Sequence, residues 1–394
     1  MEKWHRILFI EVITLGMMIL DPYLAVAVDS GKSGMTSTDS AVRAAAAELD
    51  LREMQQFLNT LDSETQKLLP RFAPQEWGLV GPTWDFRKIA RGVLDYFLRE
   101  LVFNLRLLGE LLLLAMALAI LENLRHAFES DTVSQLSFAL CFLVVMGLVL
   151  NSLRVTMNLA AETMTQMTNF VYAIIPLMFS LIVAGGGVTT AAIVHPMLIS
   201  SVGVMAVFVN NIVFPLIVFA GVLGMASFLV EGFQLGKLAN LMKNLALGLL
   251  GLGMAIFIGI ITVRGFAASV ADSTAIRTAK YFSNTFLPVV GKPFSDTMEM
   301  AAGCSLVLKS GLGVYGLGLI VLITAFPLLK ILAVAIVYQL TGAVAQPLGN
   351  PRLADALNHA GGIFINIFAA VAVVGLMFFI TLAVLVGLAN YGMG

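Results

Sequence analysis

The sequence LGVYGLGLIVLITAFPLL, residues 312–329, has no charged side chain and approaches the ~20 residues that a helix needs to cross a bilayer. A second stretch, IFINIFAAVAVVGLMFFITLAVLVGL at residues 363–388, has the same character. The bilayer interior offers no water to backbone N–H and C=O groups, so a spanning segment must satisfy them internally. Both stretches are therefore predicted to be membrane-spanning α-helices.

Further apolar stretches extend this pattern over most of the chain. Of its 394 residues, 59% are hydrophobic and 12% are charged, whereas soluble domains average ~45–50% and ~25%. The sequence predicts an all-α fold, a polytopic helical bundle of about seven to nine spans within a membrane domain over residues 101–394. The other predicted stretches are 107–121, 136–151, 170–184, 192–209, 212–230, 245–263 and 331–347.

The first residues have the layout of a secretory signal peptide. Lys3 and Arg6 precede an apolar segment at 7–20, and Ala25-Val26-Ala27 supplies the small residues that signal peptidase requires. We predict a signal peptide over residues 1–27, with Ala25 and Ala27 forming the cleavage site. The alternative is an uncleaved anchor, which the short apolar run makes less favourable.

Residues 28–100 are rich in charge and are predicted to form a small helical region outside the cytoplasm. Apolar residues recur at helical spacing within 41–69, and Pro70 ends that helix. A second amphipathic helix begins near Trp84 and carries aromatic and basic side chains. It either lies in the lipid headgroup region or packs on the preceding helices.

The orientation of the spans stays open. Loop 231–244 carries lysines and fits a cytoplasmic position, but segment 264–311 is also rich in Lys and Arg. Only one predicted span separates these two segments, so both cannot be cytoplasmic. Either residues 281–304 make an additional weak or re-entrant pass, or the positive-inside rule fails here.

Two tracts of the membrane domain, 170–263 and 282–388, resemble each other. Phe170 and Pro176 match Phe282 and Pro288, and Phe214-Pro215 matches Phe326-Pro327 at the same spacing. Prolines break the hydrogen-bond ladder of a span, and broken helices at matching places in two halves build the central site of many transporters. The alternative is that these prolines only shape helices for packing.

The remaining polar groups within apolar stretches have structural explanations. An ion pair with Arg106 accounts for Glu110, and Lys330 can extend toward the interface. His195 lies near a span end, and Asn210-Asn211 is predicted to mark a tight hairpin turn between two spans. The glycines of 248–253 and 311–318 predict close helix packing. Cys141 and Cys304 are predicted to be buried apolar residues.

The sequence contains no grouping of side chains that would serve catalysis. Histidines are few and scattered, and no motif for nucleotide or metal binding lies in a suitable context. We therefore predict no enzyme activity, no cofactor and no metal. The net charge of −1 also argues against a nucleic-acid partner, which leaves membrane lipids and other proteins.

A set of short motifs resembles stage III sporulation protein AE of endospore-forming bacteria. The motifs follow one another in this order: Pro176, Ala191-Ala192, His195-Pro196, Phe326 to Lys330, Tyr338, Gln346-Pro347-Leu348-Gly349 and Arg352. The resemblance covers essentially the whole chain and is strongest over 170–360. It provides no catalytic residues.

The resemblance implies a membrane subunit of the channel complex that links mother cell and forespore. It also implies partners, namely other stage III sporulation membrane proteins and a cytoplasmic ATPase, and a place in the mother-cell membrane around the forespore. The alternative is a free-standing secondary transporter, which the scarcity of charge inside the spans makes less favourable. The candidate structural or gating residues are Pro176, His195, Pro196, Pro215, Pro288, Pro327, Lys330, Gln346 and Pro347.

Overall fold

A computed structural model describes residues 35–77, 81–128, 131–228, 235–286, 291–348 and 351–387, which form helices and no strand. This confirms the all-α class. In chain order the helices are α1 Met35–Ala47, α2 Arg52–Thr60, α3 Ser63–Leu68, α4 Pro74–Trp77, α5 Phe86–Phe103, α6 Leu105–Phe128, α7 Asp131–Ala184, α8 Val188–Phe208, α9 Phe214–Ala226, α10 Gly236–Phe286, α11 Gly291–Ala345 and α12 Pro351–Gly387.

Within these residues, six helical segments are long and apolar enough to cross a membrane. They are Phe86–Ile120, Ala139–Ala184, Val188–Ala226, Gly236–Asp272, Gly303–Ala345 and Pro351–Gly387. The number is lower than the seven to nine expected, because three pairs of predicted stretches are joined into continuous helices. Residues 152–169 continue α7, and Lys330 lies within α11.

The prediction of a hairpin turn at Asn210-Asn211 is wrong. These residues lie in a π-helical turn, Val209–Val213, which joins α8 to α9 in one continuous helical run. Pro215 has no N–H to donate to the carbonyl group four residues earlier, and its ring collides with that carbonyl in a regular α-helix. A wider turn just before Pro215 accommodates both effects without reversing the chain.

An antiparallel hairpin of α11 and α12 forms the centre of the bundle. Helix α12 has the largest buried share of the six segments, 61% over its most apolar window, and α11 follows with 50%. Glycines bring the two backbones close. A Cβ atom on Gly375 would lie 2.6 Å from Thr324, and Gly313 packs directly against Val386. The glycines of 311–318 therefore pack closely, as predicted.

Helix α7 runs antiparallel to α11 along most of its length. The Tyr338 hydroxyl lies 2.9 Å from the Ser152 hydroxyl, and the Thr324 hydroxyl lies 3.3 Å from the sulfur of Met167. Farther along, Gly185 packs near Ser305. The outer side of the bundle is formed by α8, α9 and α10, with α10 packed against α8 and α9.

Helices α1 to α5 pack on α7 and α11, partly through the main apolar core and partly through a second apolar cluster in which Tyr96 of α5 meets Leu322 and Phe326 of α11. Phe57 of α2 contacts Phe170 of α7, with ring centroids 5.5 Å apart. Trp77 stacks on Tyr315 of α11 at 5.5 Å, and Trp84 lies against Gly318. Helix α5 also begins the first candidate span at Phe86, inside the region 28–100.

Candidate functional site

The proposed gating prolines are spread through the bundle and do not meet at one place. Pro176, Pro196 and Pro327 lie inside α7, α8 and α11, and Pro215 begins α9 after the π-helical turn. Pro288 lies outside the described residues, as do Ala25 and Ala27. The predicted internal repeat matches Pro215 with Pro327, but Pro327 lies in an α-helix whereas Pro215 follows a π-helical turn. The internal duplication remains a prediction.

His195 lies at the packed interface between α8 and α7. Its ring meets the edge of Phe179 at a centroid distance of 5.0 Å and an interplanar angle of 88°. Such an edge-to-face contact is a normal way to pack an aromatic side chain. The arrangement therefore gives His195 a role in holding α7 and α8 together.

Lys330 lies in the last third of α11, where the N-terminal helices meet the bundle. It is half-buried, and its ammonium group faces the hydroxyl of Tyr96 together with Glu100 and Asp62. Tyr96 packs edge-on against Phe326, with centroids 4.7 Å apart. Lys330 thus connects α11 electrostatically to α5 and to the residue that precedes α3.

An ion pair secures α3 to α5 next to this contact. Arg99 donates to Glu64 at 3.0 Å, and Lys67 donates to the same carboxylate at 3.2 Å. These hydrogen bonds, that from Arg99 first, lower the pKa of Glu64 below its ordinary value. The N-terminal helices are therefore fixed to one another at the place where Lys330 meets them.

Gln346 and Pro347 lie exposed in the turn that joins α11 to α12. The Gln346 N–H donates to the carbonyl of Gly342, which closes the last turn of α11. Just after the turn, the Arg352 Nε donates to the carbonyl of Phe228 at 2.8 Å, and this bond holds the hairpin to the end of α9. Hydrogen bonds therefore hold the end of α11 and the start of α12 on the two sides of this exposed turn.

His359 lies deeper in α12 and packs against Gly224 of α9. Its ring is 5.8 Å from that of Phe228, and its buried Nε2 has no hydrogen-bond partner among the described residues. Only glycine leaves room for the imidazole at this contact. His359 therefore fills the junction between α9 and α12 beside the exposed turn.

Asp272 is a buried carboxylate that the sequence interpretation missed. Its two oxygens accept the backbone N–H groups of Thr189 and Thr190 at 2.9 and 2.7 Å. These groups begin α8 and have no partner within that helix, and a negative charge there is favourable. Asp272 therefore fastens α10 to the start of α8.

Helix α7 also carries a row of exposed polar side chains within residues that the sequence interpretation assigns to a link between two spans. The row consists of Asn151, Arg154, Asn158, Glu162, Thr165 and Asn169. Their spacing of three and four residues is typical of one helix face, and this periodicity was the signal that could have identified them. We refer to this row as the α7 polar face.

The described side chains contain no group of three or more His, Cys, Asp or Glu residues that could hold a metal ion. The polar groups described above instead lie at helix junctions or along the α7 polar face. The fold and these contacts define a polytopic α-helical membrane protein.

Comparison with known proteins identifies the family. The family model for stage III sporulation protein AE matches residues 81–389. Stage III sporulation protein AE of Bacillus subtilis (strain 168) is 35% identical over 363 residues, covering 88% of each chain. No solved structure matches this chain. The chain belongs to the stage III sporulation protein AE family, and it is a sporulation-related membrane protein.

Proposed function

We propose that this chain is a membrane subunit of a channel complex that links mother cell and forespore and supports forespore development after engulfment. Membership of the sporulation family carries the proposal. The structure supports it through a large apolar bundle whose polar groups fasten helices to one another. A subunit of this kind does no chemistry of its own and depends on partners for energy.

The proposed partners are other stage III sporulation membrane proteins and a cytoplasmic ATPase, in the mother-cell membrane around the forespore. The turn at Gln346-Pro347 is the proposed docking surface, because it is exposed between α11 and α12, the two most buried helices of the bundle. Purification of the full chain from sporulating cells should recover these partners. Recovery of the chain alone under mild detergent would contradict this part of the proposal.

Deletion of the gene should leave vegetative growth unchanged and stop development once the forespore is engulfed. Replacing Gln346 and Pro347 by alanine should cause the same arrest while the protein still inserts. The exposed Ala343→Ser variant, one turn earlier, serves as the matched control. Growth curves and microscopy decide the result. Normal spores in the deletion strain would refute the channel role, and a vegetative defect would favour the transporter.

The proposed domain layout places the mature N-terminus at Val28, after a cleaved signal peptide, and residues 28–100 outside the cytoplasm. N-terminal sequencing of the extracted protein should begin at Val28. A cysteine at the exposed Ser63 should react with an impermeant maleimide in intact protoplasts, in a chain lacking Cys141 and Cys304. Recovery of Met1, or labelling only after lysis, would reverse these assignments.

A further inference from the structure

The α7 polar face extends through the middle of a candidate span. It begins at Asn151 and ends at Asn169, within the segment Ala139–Ala184. At ~1.5 Å per residue this distance approaches the ~30 Å thickness of a bilayer core. Of the residues between its members, Thr156, Met164 and Met167 are among those buried against the bundle, whereas Val155 is exposed. The helix is therefore amphipathic along most of the length that a membrane requires.

Contacts between neighbouring helices show which part of the bundle lies level with this face. The Tyr172 hydroxyl on α7 packs against Gly203 of α8, which places Gly203 level with the end of the face. Slightly farther along this helical run, Met205 and Phe208 pack against Gly253 of α10. Gly253 is therefore level with the α7 polar face.

The outer surface of α10 at this level is apolar. The segment 244–263 around Gly253 has no charged residue. Exposed side chains along it include Leu245, Leu252, Ile256, Ile260 and Val263. A surface of this kind is in contact with lipid. The bilayer therefore surrounds the bundle at the height where the α7 polar face is exposed.

The α7 polar face cannot itself be in contact with lipid. Charged side chains are costly at the centre of a bilayer and usually face a bundle interior or a water-filled cavity. Arg154 and Glu162 are both exposed, and neither makes an ion pair within the described part of the chain. Helix α2 packs on α7 next to this face through Phe57 and Phe170. Its outward side is polar, with Arg52, Glu53, Gln55 and Gln56 exposed.

We infer that the α7 polar face lines a water-filled passage through the membrane, a specific assignment that rests on the proposed channel function. One cation and one anion lie among neutral amides and a hydroxyl, so the lining carries no net charge. The passage therefore suits small hydrated polar solutes of either sign rather than one class of ion. The apolar side formed by α10 contacts lipid, and the passage lies on the opposite, α7 side of the bundle.

Cysteine accessibility tests this assignment in the full-length chain. In a background with Cys141→Ser and Cys304→Ala, single cysteines are placed at Asn158, Glu162 and Thr165, with Leu252 and Ile256 as lipid-facing controls. A charged, impermeant thiol reagent should modify the three face positions at least about tenfold faster than the controls, because only a thiol in contact with water ionises readily. Equal, slow modification of all five positions would overturn the proposal.

A blocking variant connects the passage to function. Asn158→Trp should stop spore formation while the protein remains inserted at normal abundance, and Leu252→Trp on the lipid side should have no effect. Normal spores with Asn158→Trp would overturn the assignment. The labelling experiment does not depend on sporulation, so it tests the water-filled passage separately from the channel function. Normal spores in the deletion strain refute the channel function alone, and an unmodified α7 face refutes the passage alone.

Discussion

Helices α11 and α10 are both rich in glycine and apolar residues, yet they have opposite positions in the bundle. On α11, Gly313 packs against Val386 and Gly318 against Trp84, and a Cβ atom on Gly316 would lie 2.6 Å from Ile174. On α10, a Cβ atom added to Gly248 or Gly251 would have no neighbouring atom within 4 Å. Within the most apolar 18-residue stretch of each helix, 50% is buried in α11 and 22% in α10.

This difference shows that apolar composition and glycine content do not distinguish a central span from a peripheral one. In a water-soluble protein, hydrophobic residues are the ones that become buried. Lipid tails are as apolar as a protein core, so a hydrophobic side chain in a membrane can face either the lipid or the interior of the bundle. Close packing was predicted for both glycine segments, and only that of 311–318 is confirmed throughout. In 248–253, Gly253 packs against Met205 and Phe208, whereas Gly248 and Gly251 have open space beside them.

The largest expected effect comes from adding volume to the central hairpin. Gly313→Val forces a β-branched side chain against Val386, and overpacking of this kind costs about 1–3 kcal/mol. Gly251→Val makes the same chemical change on the open surface of α10 and is the matched control. Thermal unfolding of the full chain in detergent should show a clear loss for Gly313→Val alone. Equal losses in both variants would remove the distinction between the two helices.

An effect of similar size and opposite sign is expected at Lys309, a buried polar side chain within the packed part of α11. Its side chain is 1% exposed, and its Nζ has no hydrogen-bond partner among the described residues. A buried donor without an acceptor costs about 1–3 kcal/mol, and methionine keeps the unbranched stem. Lys309→Met should therefore unfold at a higher temperature.

The control is Lys330→Met, which removes a lysine that does have partners and should not stabilise the protein. A destabilised Lys309→Met protein would show that the amine has a partner in the folded state. A stabilised protein that no longer supports spore formation would assign Lys309 to function, since stability and activity would then change in opposite directions.

The sequence predicted the helical class and the apolar segments, but not how those segments join. Residues 152–169 fall between two predicted apolar stretches, although their polar side chains have the periodicity of one helix face, and a turn was predicted at Asn210-Asn211. Asp272 was missed because its partners, Thr189 and Thr190, are distant in the sequence and no local pattern connects them. Side-chain contacts between remote helices are set by packing, which a single sequence does not display.

Loss of one hydrogen bond across the centre should have a moderate effect. Tyr338 is fully buried on α11, and its hydroxyl meets that of Ser152 on α7 at 2.9 Å. Tyr338→Phe keeps the ring stacked on Phe364 and removes only the hydroxyl, for a loss of about 1 kcal/mol. A double-mutant cycle with Ser152→Ala should show that the two losses are not additive. Full additivity would mean that the two hydroxyls do not interact.

The smallest effect is expected at the N-terminal helices, where Glu64 is paired with Arg99 and Lys67. The pairing lowers the pKa of Glu64 from its ordinary value of 4.5. A carboxyl group with a lowered pKa in the folded state stabilises the protein fully above its ordinary pKa, and this contribution is lost as the pH falls through the lowered value.

Solvent-exposed ion pairs contribute little, so Glu64→Gln should barely change the unfolding temperature at pH 7. As the pH falls below the ordinary value of 4.5, the unfolding temperature should fall more steeply in the parent protein than in Glu64→Gln. The control is Glu53→Gln, whose parent carboxylate makes no ion pair among the described residues. Parallel pH profiles for all three proteins would show that the Glu64 pair does not fasten α3 to α5.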